Sequence, residues 1–371
     1  MLPSILIRNF RLFKDLKIDR LGRVNLITGQ NNAGKTAFLE AIRLYASSGS
    51  IDVLLNLIKV RQEDWQDLRK INSITVDSHP IRHLFYNYQL LYDSKKCIHL
   101  GPIDTKDKQL KFYVESNKNP KTEQAGYSDR YVVVRYLEPN LFMEDTFYLV
   151  ISLNDKPYPI LLLDRSLEFE APRLRRISES KSSTVYIPTN NLSSQELADL
   201  WDQIIFNNNK DEEVIRALQL LDPSVRGVTF VKNRTTPRER IPIIKTEKFR
   251  EPLPLKSMGD GMMRLFHIII SLVNASQGTL LIDEFETGLH WSVQPRIWKT
   301  VFRLAKDLDV QVFATTHSRD CIAAFEEAWK EEEEVLGAFF RLNRDKVGDI
   351  NVTPYTRETL SDALEMDVEI R

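Results

Sequence analysis

Residues 24–36 read Val-Asn-Leu-Ile-Thr-Gly-Gln-Asn-Asn-Ala-Gly-Lys-Thr, and this stretch decides the fold. Its first five residues are typical of a buried strand, and from Lys35 onward apolar side chains recur at helical spacing. The eight residues from Gly29 to Thr36 fit the pattern G-x-x-x-x-G-K-[ST], in which a loop between a strand and a helix cradles phosphate. Because the flanking residues supply that strand and that helix, the stretch predicts a phosphate-binding loop in an α/β fold.

The loop is expected to surround the β- and γ-phosphates of a nucleotide with backbone N–H groups. Gly29 and Gly34 permit the tight turn, and the N-terminus of the following helix adds its positive end. Lys35 adds a point charge, and the Thr36 hydroxyl is a suitable ligand for Mg²⁺. The predicted nucleotide-binding residues of this loop are Gly29, Asn31, Asn32, Ala33, Gly34, Lys35 and Thr36.

A second strand pattern, far along the chain, ends in two carboxylates. Residues 279–284 read Thr-Leu-Leu-Ile-Asp-Glu, an apolar run followed by Asp283 and Glu284. In P-loop enzymes the first carboxylate after such a strand anchors Mg²⁺, so Asp283 and Thr36 are the predicted metal ligands. Glu284 is a predicted catalytic residue, because a carboxylate one position further on points differently and can polarise the attacking water.

A third motif, residues 256–261, reads Lys-Ser-Met-Gly-Asp-Gly and leads into an amphipathic helix pattern. Free N–H groups, a hydroxyl and the positive helix end together form a second anion site. The run resembles the signature motif of ABC ATPases, in which a serine and a glycine contact the γ-phosphate of ATP held by the other subunit. The resemblance implies that ATP is the nucleotide and that it is contacted in trans by Ser257, Gly259, Asp260 and Gly261.

The same family resemblance extends to two further segments. Residues 285–290 occupy the place of the D-loop, which crosses the dimer interface in ABC ATPases. Residues 315–318, Thr-Thr-His-Ser, match the switch histidine. His317 is therefore a predicted catalytic residue, since a neutral imidazole at a strand end can hydrogen-bond the γ-phosphate or the attacking water.

Residues 7–13, Ile-Arg-Asn-Phe-Arg-Leu-Phe, are similar to the opening hairpin of ABC ATPases of the SMC and OLD (overcoming lysogenization defect) groups. That resemblance implies that Arg11 lies near the nucleotide. The wording of the signature and of residues 283–290 looks more like the OLD-type ATPases, and the long coiled coils of SMC proteins are not present. Gln62 is a weak candidate for the Q-loop glutamine of the family.

Full-length OLD nucleases carry a TOPRIM nuclease domain after the ATPase. Only about two dozen residues follow the last predicted strand near Asn351, too few for such a domain. The sequence is therefore expected to be an OLD-like ATPase without that nuclease domain.

The predicted fold is an α/β P-loop NTPase of the ABC type, with an antiparallel β subdomain and an inserted, mainly helical arm or lid. Residues 1–60 and 250–371 are assigned to the ATPase core, and residues 61–190 to an antiparallel β-rich lobe with a helical lead-in. Residues 191–249 are assigned to the helical arm and a basic connector. The patterns behind this division are β-rich runs at 110–114, 131–136, 147–153 and 160–163, and helical segments at 193–206 and 212–221.

The charge balance limits the partners. Lys and Arg number 51 against 52 for Asp and Glu, so no chain-wide field favours nucleic acid or an anionic membrane. Residues 232–250 are locally basic, which a solvated loop explains better than a polyanion contact, and DNA or RNA stays an open partner. Two cysteines suit a reducing compartment, and no run approaches the ~20 apolar residues of a membrane span. A cytoplasmic protein without a membrane partner is expected.

The function predicted from these motifs is hydrolysis of ATP to ADP and phosphate by an ATP-dependent head-to-tail homodimer. By analogy with OLD-like ATPases of bacterial defence systems, its output is control of a separately encoded effector, a nuclease or a toxin, in anti-phage defence. The alternatives are a P-loop kinase or nucleotide-processing enzyme, and an ABC transporter ATPase subunit. The signature and His317 favour the switch over a kinase, and the motif wording and the long insertion disfavour a transporter.

Overall fold

The computed structural model describes residues 1–64, 79–91, 96–116, 147–154, 156–162, 183–208, 210–220, 222–233, 236, 239–332 and 334–370. The helices are α1 (Lys35–Ala46), α2 (Ile51–Val60), α3 (Ser194–Asn208), α4 (Asp211–Gln219), α5 (Asp260–Asn274), α6 (Gln294–Asp307), α7 (Arg319–Glu331) and α8 (Arg357–Glu365). The strands are β1 (Ile5–Phe10), β2 (Phe13–Ile18), β3 (Val24–Gly29), β4 (Ile98–Gly101), β5 (Leu110–Ser116), β6 (Phe147–Leu153), β7 (Lys156–Leu162), β8 (Thr184–Ile187), β9 (Val225–Lys232), β10 (Arg240–Thr246), β11 (Leu253–Pro254), β12 (Thr279–Ile282), β13 (Gln311–Thr315), β14 (Gly337–Arg344) and β15 (Ile350–Tyr355).

The central sheet has the strand order β15-β14-β3-β13-β12-β8. Strands β14, β3, β13, β12 and β8 run parallel, and β15 is antiparallel to β14 at one edge. The parallel strands are near-continuous apolar runs because helices cover both faces of the sheet. Their carboxyl ends meet at one edge, where open α/β sheets bind their ligands.

The second sheet is antiparallel, with the order β2-β1-β4-β5-β6-β7. Its inner face and one face of the central sheet enclose α1, so Phe38 packs against Phe313 of β13 with ring centroids 6.4 Å apart. The opposite face of the central sheet is covered by α5, α6 and α7 in a separate core. Helix α1, which follows the predicted phosphate loop, therefore lies between the two sheets.

Strand membership crosses the predicted domain boundaries. The hairpin β1–β2, assigned to the ATPase core, pairs through β1 with β4 of the antiparallel sheet. Strand β8, assigned to the β-rich lobe, pairs in parallel with β12 and is an edge of the central sheet. The predicted strand at 131–136 lies outside the described residues. Each of these pairings joins segments far apart in sequence, which local patterns do not reveal.

The predicted arm contains α3 and α4 together with the hairpin β9–β10. Helix α3 begins with a capping box, since the Ser193 hydroxyl accepts the Glu196 N–H and the Glu196 carboxylate accepts the Ser193 N–H. Both helices pack on α5 in the core. The described part of the arm is thus continuous with the apolar core around α5.

Part of the basic connector expected at 232–250 is a strand. Residues 240–246 form β10, and the Arg240 guanidinium donates to both Asp202 carboxylate oxygens at 2.6 and 3.0 Å. This bidentate pair neutralises the charge of Arg240, which is then not free to bind a polyanion. Arg234 and Arg238 lie outside the described residues.

Helix α5 carries a buried histidine that predicts a pH dependence of stability. His267 is 4% exposed and its Nδ1 accepts the Leu192 N–H at 3.3 Å. Burial, with a smaller contribution from Arg264, lowers the pKa of His267 from 6.5 to about 4. Between those two values the unfolded chain binds a proton that the folded chain does not. The stabilisation is therefore present above pH 6.5 and lost as the pH falls to about 4.

We expect the free energy of unfolding to fall by about 3 kcal/mol across that window through His267 alone. The measurement is urea unfolding at pH 7 and pH 4.5 of the wild type and of His267→Gln, which keeps an acceptor for the Leu192 N–H. Carboxylates titrate in both proteins, so the difference between the two pH profiles isolates His267. Identical losses in both proteins contradict the prediction.

None of the helices within the described ranges is long and apolar enough to cross a lipid bilayer.

Candidate functional site

Three neighbouring parallel strands end at the candidate site. Strand β3 ends at Gly29, β12 is followed by Asp283, and β13 ends at Thr315, with β13 lying between the other two in the sheet. Because the three strands are parallel, their following residues share one edge. The sheet thus brings together segments separated by about 250 residues in the sequence.

The phosphate loop needs glycine at two positions. Gly29 has φ 150°, and a Cβ there would lie 2.5 Å from the Leu342 carbonyl oxygen. Gly34 has φ 92°, and a Cβ there would lie 3.1 Å from the Phe13 ring. Helix α1 follows at Lys35 without a side-chain cap, which leaves its first N–H groups facing the loop. This backbone suits an anion held at the helix N-terminus.

Lys35 folds back over the loop. Its Nζ donates to the carbonyl oxygens of Gly29 at 2.6 Å and Gln30 at 3.1 Å. Burial lowers the pKa of Lys35, and the carboxylates of Asp283, Glu284 and Glu286 oppose that shift. The ammonium group therefore lies between the loop and the acidic strand end, where a nucleotide phosphate would meet it.

The two predicted metal ligands are in direct contact. The Thr36 hydroxyl donates to Asp283 Oδ2 at 3.1 Å, and the Thr315 hydroxyl donates to Asp283 Oδ1 at 2.6 Å. Asp283 is only 6% exposed, so its carboxylate is held in one orientation. One hydroxyl and one carboxylate suit Mg²⁺, which keeps several waters and takes further oxygens from phosphates. The described residues contain no cluster of three His, Cys, Asp or Glu side chains that would hold a metal unaided.

Glu284 lies in a strained backbone conformation. Its φ is 49°, in the left-handed region that a residue with a side chain seldom adopts. Its N–H donates to the Thr315 hydroxyl at 2.9 Å, and the Phe285 N–H donates to the Thr315 carbonyl at 2.9 Å. Strain of this kind persists only where the surroundings enforce it, and it is concentrated at functional sites. Thr315 was not predicted, because a threonine in a buried strand carries no distinctive sequence signal.

His317 lies between two carboxylates at the end of β13. Its Nδ1 is 3.3 Å from Glu286 Oε1 and 3.7 Å from Glu284 Oε1. Glu286 Oε1 also accepts the His317 backbone N–H at 3.0 Å. The sequence interpretation gave no role to Glu286, although it stands two residues after Glu284. The structure thus places both predicted catalytic residues, Glu284 and His317, beside each other.

The predicted signature lies at the exposed start of α5. Ser257 belongs to a 3₁₀ turn at Leu255–Met258, and Gly259, with φ 95°, precedes the helix without a side-chain cap. Ser257, Gly259 and Asp260 are exposed, and a Cβ on Gly259 or Gly261 would meet open space. No hydrogen bond between described residues joins Ser257 to the phosphate loop. The signature is therefore open toward solvent while the rest of the site is assembled within the chain.

Arg11 does not lie free beside the nucleotide loop. It is 7% exposed, with Nε 2.5 Å from Glu40 Oε2 and Nη1 2.6 Å from Glu63 Oε1. Arg11 is therefore paired with one buried carboxylate and one partly buried carboxylate, and its role in nucleotide binding stays a prediction. Gln62, next to Glu63, is exposed at the end of α2 with φ 55°, and its Q-loop role stays a prediction.

A known protein family matches most of the chain. The family model described as AAA ATPase domain, AAA_15, matches residues 1–221 and 179–322, which together span most of the chain. The chain belongs to the AAA_15 family. The family is described as an AAA ATPase domain, which supports nucleotide binding and hydrolysis by this chain.

A curated relative spans nearly the whole AAA ATPase. A Helicobacter pylori protein named ATP/GTP phosphatase is 27% identical over 346 residues, which cover 90% of each chain. A second relative, an uncharacterised protein of Methanocaldococcus jannaschii, is 46% identical over 48 residues, 13% of this chain and 22% of its own.

SMC heads are among the solved structures that the chain resembles. The SMC head bound to the C-terminal winged-helix domain of ScpA has TM-score 0.49 and 10% identity, covering 96% of this chain and 98% of that chain. The SMC head domain from Thermotoga maritima has TM-score 0.44 and 13% identity, covering 96% and 99%.

Proposed function

We propose that this AAA ATPase binds ATP with Mg²⁺ and hydrolyses it to ADP and phosphate. The contact of Thr36 and Asp283 beside the phosphate loop is the observation that carries the proposal. Mg²⁺, when bound there, neutralises charge on the phosphate oxygens. The loop N–H groups and Lys35 hold the phosphates, Glu284 accepts a proton from the attacking water, and His317 orients groups at the γ-phosphate.

The experiment that tests this activity is a product analysis. Purified protein with ATP and Mg²⁺ is expected to release ADP and inorganic phosphate in equal amounts, with the rate abolished by chelation of Mg²⁺. Transfer of the γ-phosphate to an acceptor instead of release to water supports the kinase alternative. GTP in place of ATP provides the nucleotide control.

We infer further that two copies of the chain hold ATP between them. Ser257, Gly259 and Asp260 are exposed at a helix N-terminus, a position that suits a phosphate arriving from outside the chain. Gly288 of the D-loop lies next to this motif, since a Cβ on Gly288 would be 3.9 Å from the Asp260 Cβ. A second copy placed head-to-tail supplies its own phosphate loop to this surface, and the same contact repeats by symmetry.

Ser257→Arg is expected to separate binding from turnover. The bulky cation at the exposed signature blocks the partner's phosphate, so ATP affinity stays within about threefold while dimerisation and at least about 90% of turnover are lost. Equilibrium binding, sizing with saturating MgATP and phosphate release measure these three quantities. Lys256→Arg, which alters the exposed neighbouring residue without adding charge, is the control. Full turnover by Ser257→Arg excludes the contact in trans.

The biological output that we propose is control of a separately encoded effector, a nuclease or a toxin, in anti-phage defence. The resemblance of the signature and of residues 283–290 to OLD-type ATPases supports this step. ATP clamps the dimer and hydrolysis loosens it, so the effector or a nucleic acid held by the dimer experiences two states. Co-purification of the AAA ATPase with the product of an adjacent gene, in the presence and absence of ATP, tests it.

A further inference from the structure

Arg264 joins helix α5 to the acidic turn after β12. The residue is 1% exposed and lies in the second turn of α5. Its Nη2 donates to the carbonyl oxygens of Asp283 at 3.1 Å and Glu284 at 2.9 Å. Its Nη1 donates to the Asn191 side-chain oxygen. One guanidinium thus binds the backbone of both acidic residues and the loop that follows β8.

These contacts explain how Glu284 keeps its strained backbone. The Glu284 N–H donates to the Thr315 hydroxyl at 2.9 Å, and its carbonyl oxygen accepts from Arg264 Nη2 at 2.9 Å and from the Thr287 N–H at 3.1 Å. We expect the φ of 49° to relax toward ordinary values when the Arg264 contact, which comes from a different helix, is lost. Relaxation of the backbone would turn the side chain, so the Arg264 contact contributes to the direction of the Glu284 carboxylate.

The charge of Arg264 is retained in spite of burial. Burial lowers the pKa of Arg264 to about 10, and the carboxylates of Glu286, Asp283 and Glu284 oppose that shift. The guanidinium is therefore positive at neutral pH. Moving a buried cation away from its acceptors costs free energy, because water cannot replace them. The contact between α5 and the acidic turn therefore resists separation.

Helix α5 connects this contact to the exposed signature. The helix begins at Asp260, and most of its length is buried in the core, with Leu265, Phe266 and Ile268 fully buried. Each residue adds 1.5 Å along a helix, so Arg264 is about 6 Å from the first residue of α5. A close-packed helix moves as a body, and a force at its N-terminus reaches Arg264.

We propose that Arg264 is a positioning residue that couples the signature of a subunit to the catalytic turn of the same subunit. The inference rests on the proposed function, because it takes the partner's ATP to be the ligand of the signature. When that ATP contacts the start of α5, the helix fixes the position of Arg264. Arg264 in turn fixes the backbone conformation of Glu284. Each site then responds to the nucleotide in the other site.

Mixed dimers with one intact site test the positioning role. A Lys35→Ala subunit has a disabled phosphate loop but an intact signature, and a Ser257→Arg subunit has the reverse. Their mixed dimer retains one complete site, built on the phosphate loop and acidic turn of the Ser257→Arg subunit. Arg264→Lys, which keeps the charge but loses the fork of donors, is then placed in either subunit.

Arg264→Lys in the Ser257→Arg subunit is expected to lower kcat about tenfold with KM within about twofold, because it displaces a catalytic group without removing phosphate contacts. In the Lys35→Ala subunit the loss is expected to be less than about threefold, because the acidic turn of that subunit is idle. Equal losses in both placements, or a change confined to KM, overturn the positioning role. An inactive parental mixed dimer contradicts the proposed function instead.

The coupling is tested by a double-mutant cycle. The single complete site of the mixed dimer lacks phosphate on its own α5, so we expect its rate per site to be about fivefold below that of the wild type. With Arg264→Lys in all subunits, that difference is expected to fall below about twofold. If the rate loss from the missing second site is the same with and without Arg264→Lys, the coupling is overturned.

A second variant covers the case in which Arg264→Lys does not fold, as judged by thermal unfolding. Asn191→Ala removes one acceptor of Arg264 from a half-buried loop and leaves the acidic turn unaltered. It is expected to give the same subunit-specific loss of kcat at about threefold. A loss that does not depend on the subunit carrying Asn191→Ala overturns the proposal.

Discussion

Glu284→Gln is expected to lower ATP turnover at least about 100-fold, because the amide cannot accept the proton of the attacking water. Binding of ATP is expected to persist, since the phosphate loop and the contact of Thr36 with Asp283 are unaltered. In the proposed dimer, ATP that binds but is not cleaved is expected to keep the two subunits together. The variant therefore accumulates as a dimer with MgATP, which sizing experiments and single-turnover phosphate release measure.

The carboxamide is nearly isosteric with the carboxylate, so the Glu284 backbone keeps its contacts with Thr315 and Arg264. Glu331→Gln, which removes an exposed carboxylate on α7 that pairs with Lys299, is the matched control and is expected to behave as the wild type. A Glu284→Gln protein that stays monomeric with saturating MgATP is incompatible with ATP held between two subunits.

Lys35→Ala is expected to weaken ATP binding about 100-fold or more, equivalent to about 2.7 kcal/mol, because it removes the cation of the phosphate loop. We expect the loop itself to persist, since its turns depend on Gly29 and Gly34, whereas the Lys35 ammonium donates to the carbonyl oxygens of Gly29 and Gln30. Calorimetric titration with MgATP measures the loss, and thermal unfolding without nucleotide checks the fold.

Lys59→Ala, at the exposed end of α2, is the control for the loss of one positive charge. Its ATP affinity is expected to match that of the wild type. Comparable weakening by both substitutions indicates a general electrostatic effect and removes the specific role of Lys35.

The local patterns of the sequence determined the elements around the site. Residues 24–36 predicted β3, the loop and α1, and residues 279–284 predicted β12 with its two carboxylates. These predictions were possible because turn glycines, apolar runs and helical spacing are patterns among residues close together in the sequence. Residues 193–206 and 212–221 likewise predicted α3 and α4.

Only the tertiary structure decided which segments meet. The pairing of β8 with β12, the membership of β1 in the antiparallel sheet and the ion pairs of Arg11 all join residues far apart in sequence. Thr315 and Arg264 act through hydrogen bonds to Asp283 and Glu284 that no spacing reveals. A motif indicates which functional groups are present. The backbone of Glu284 is hydrogen-bonded by Arg264 and Thr315, which only folding brings within 3 Å of it.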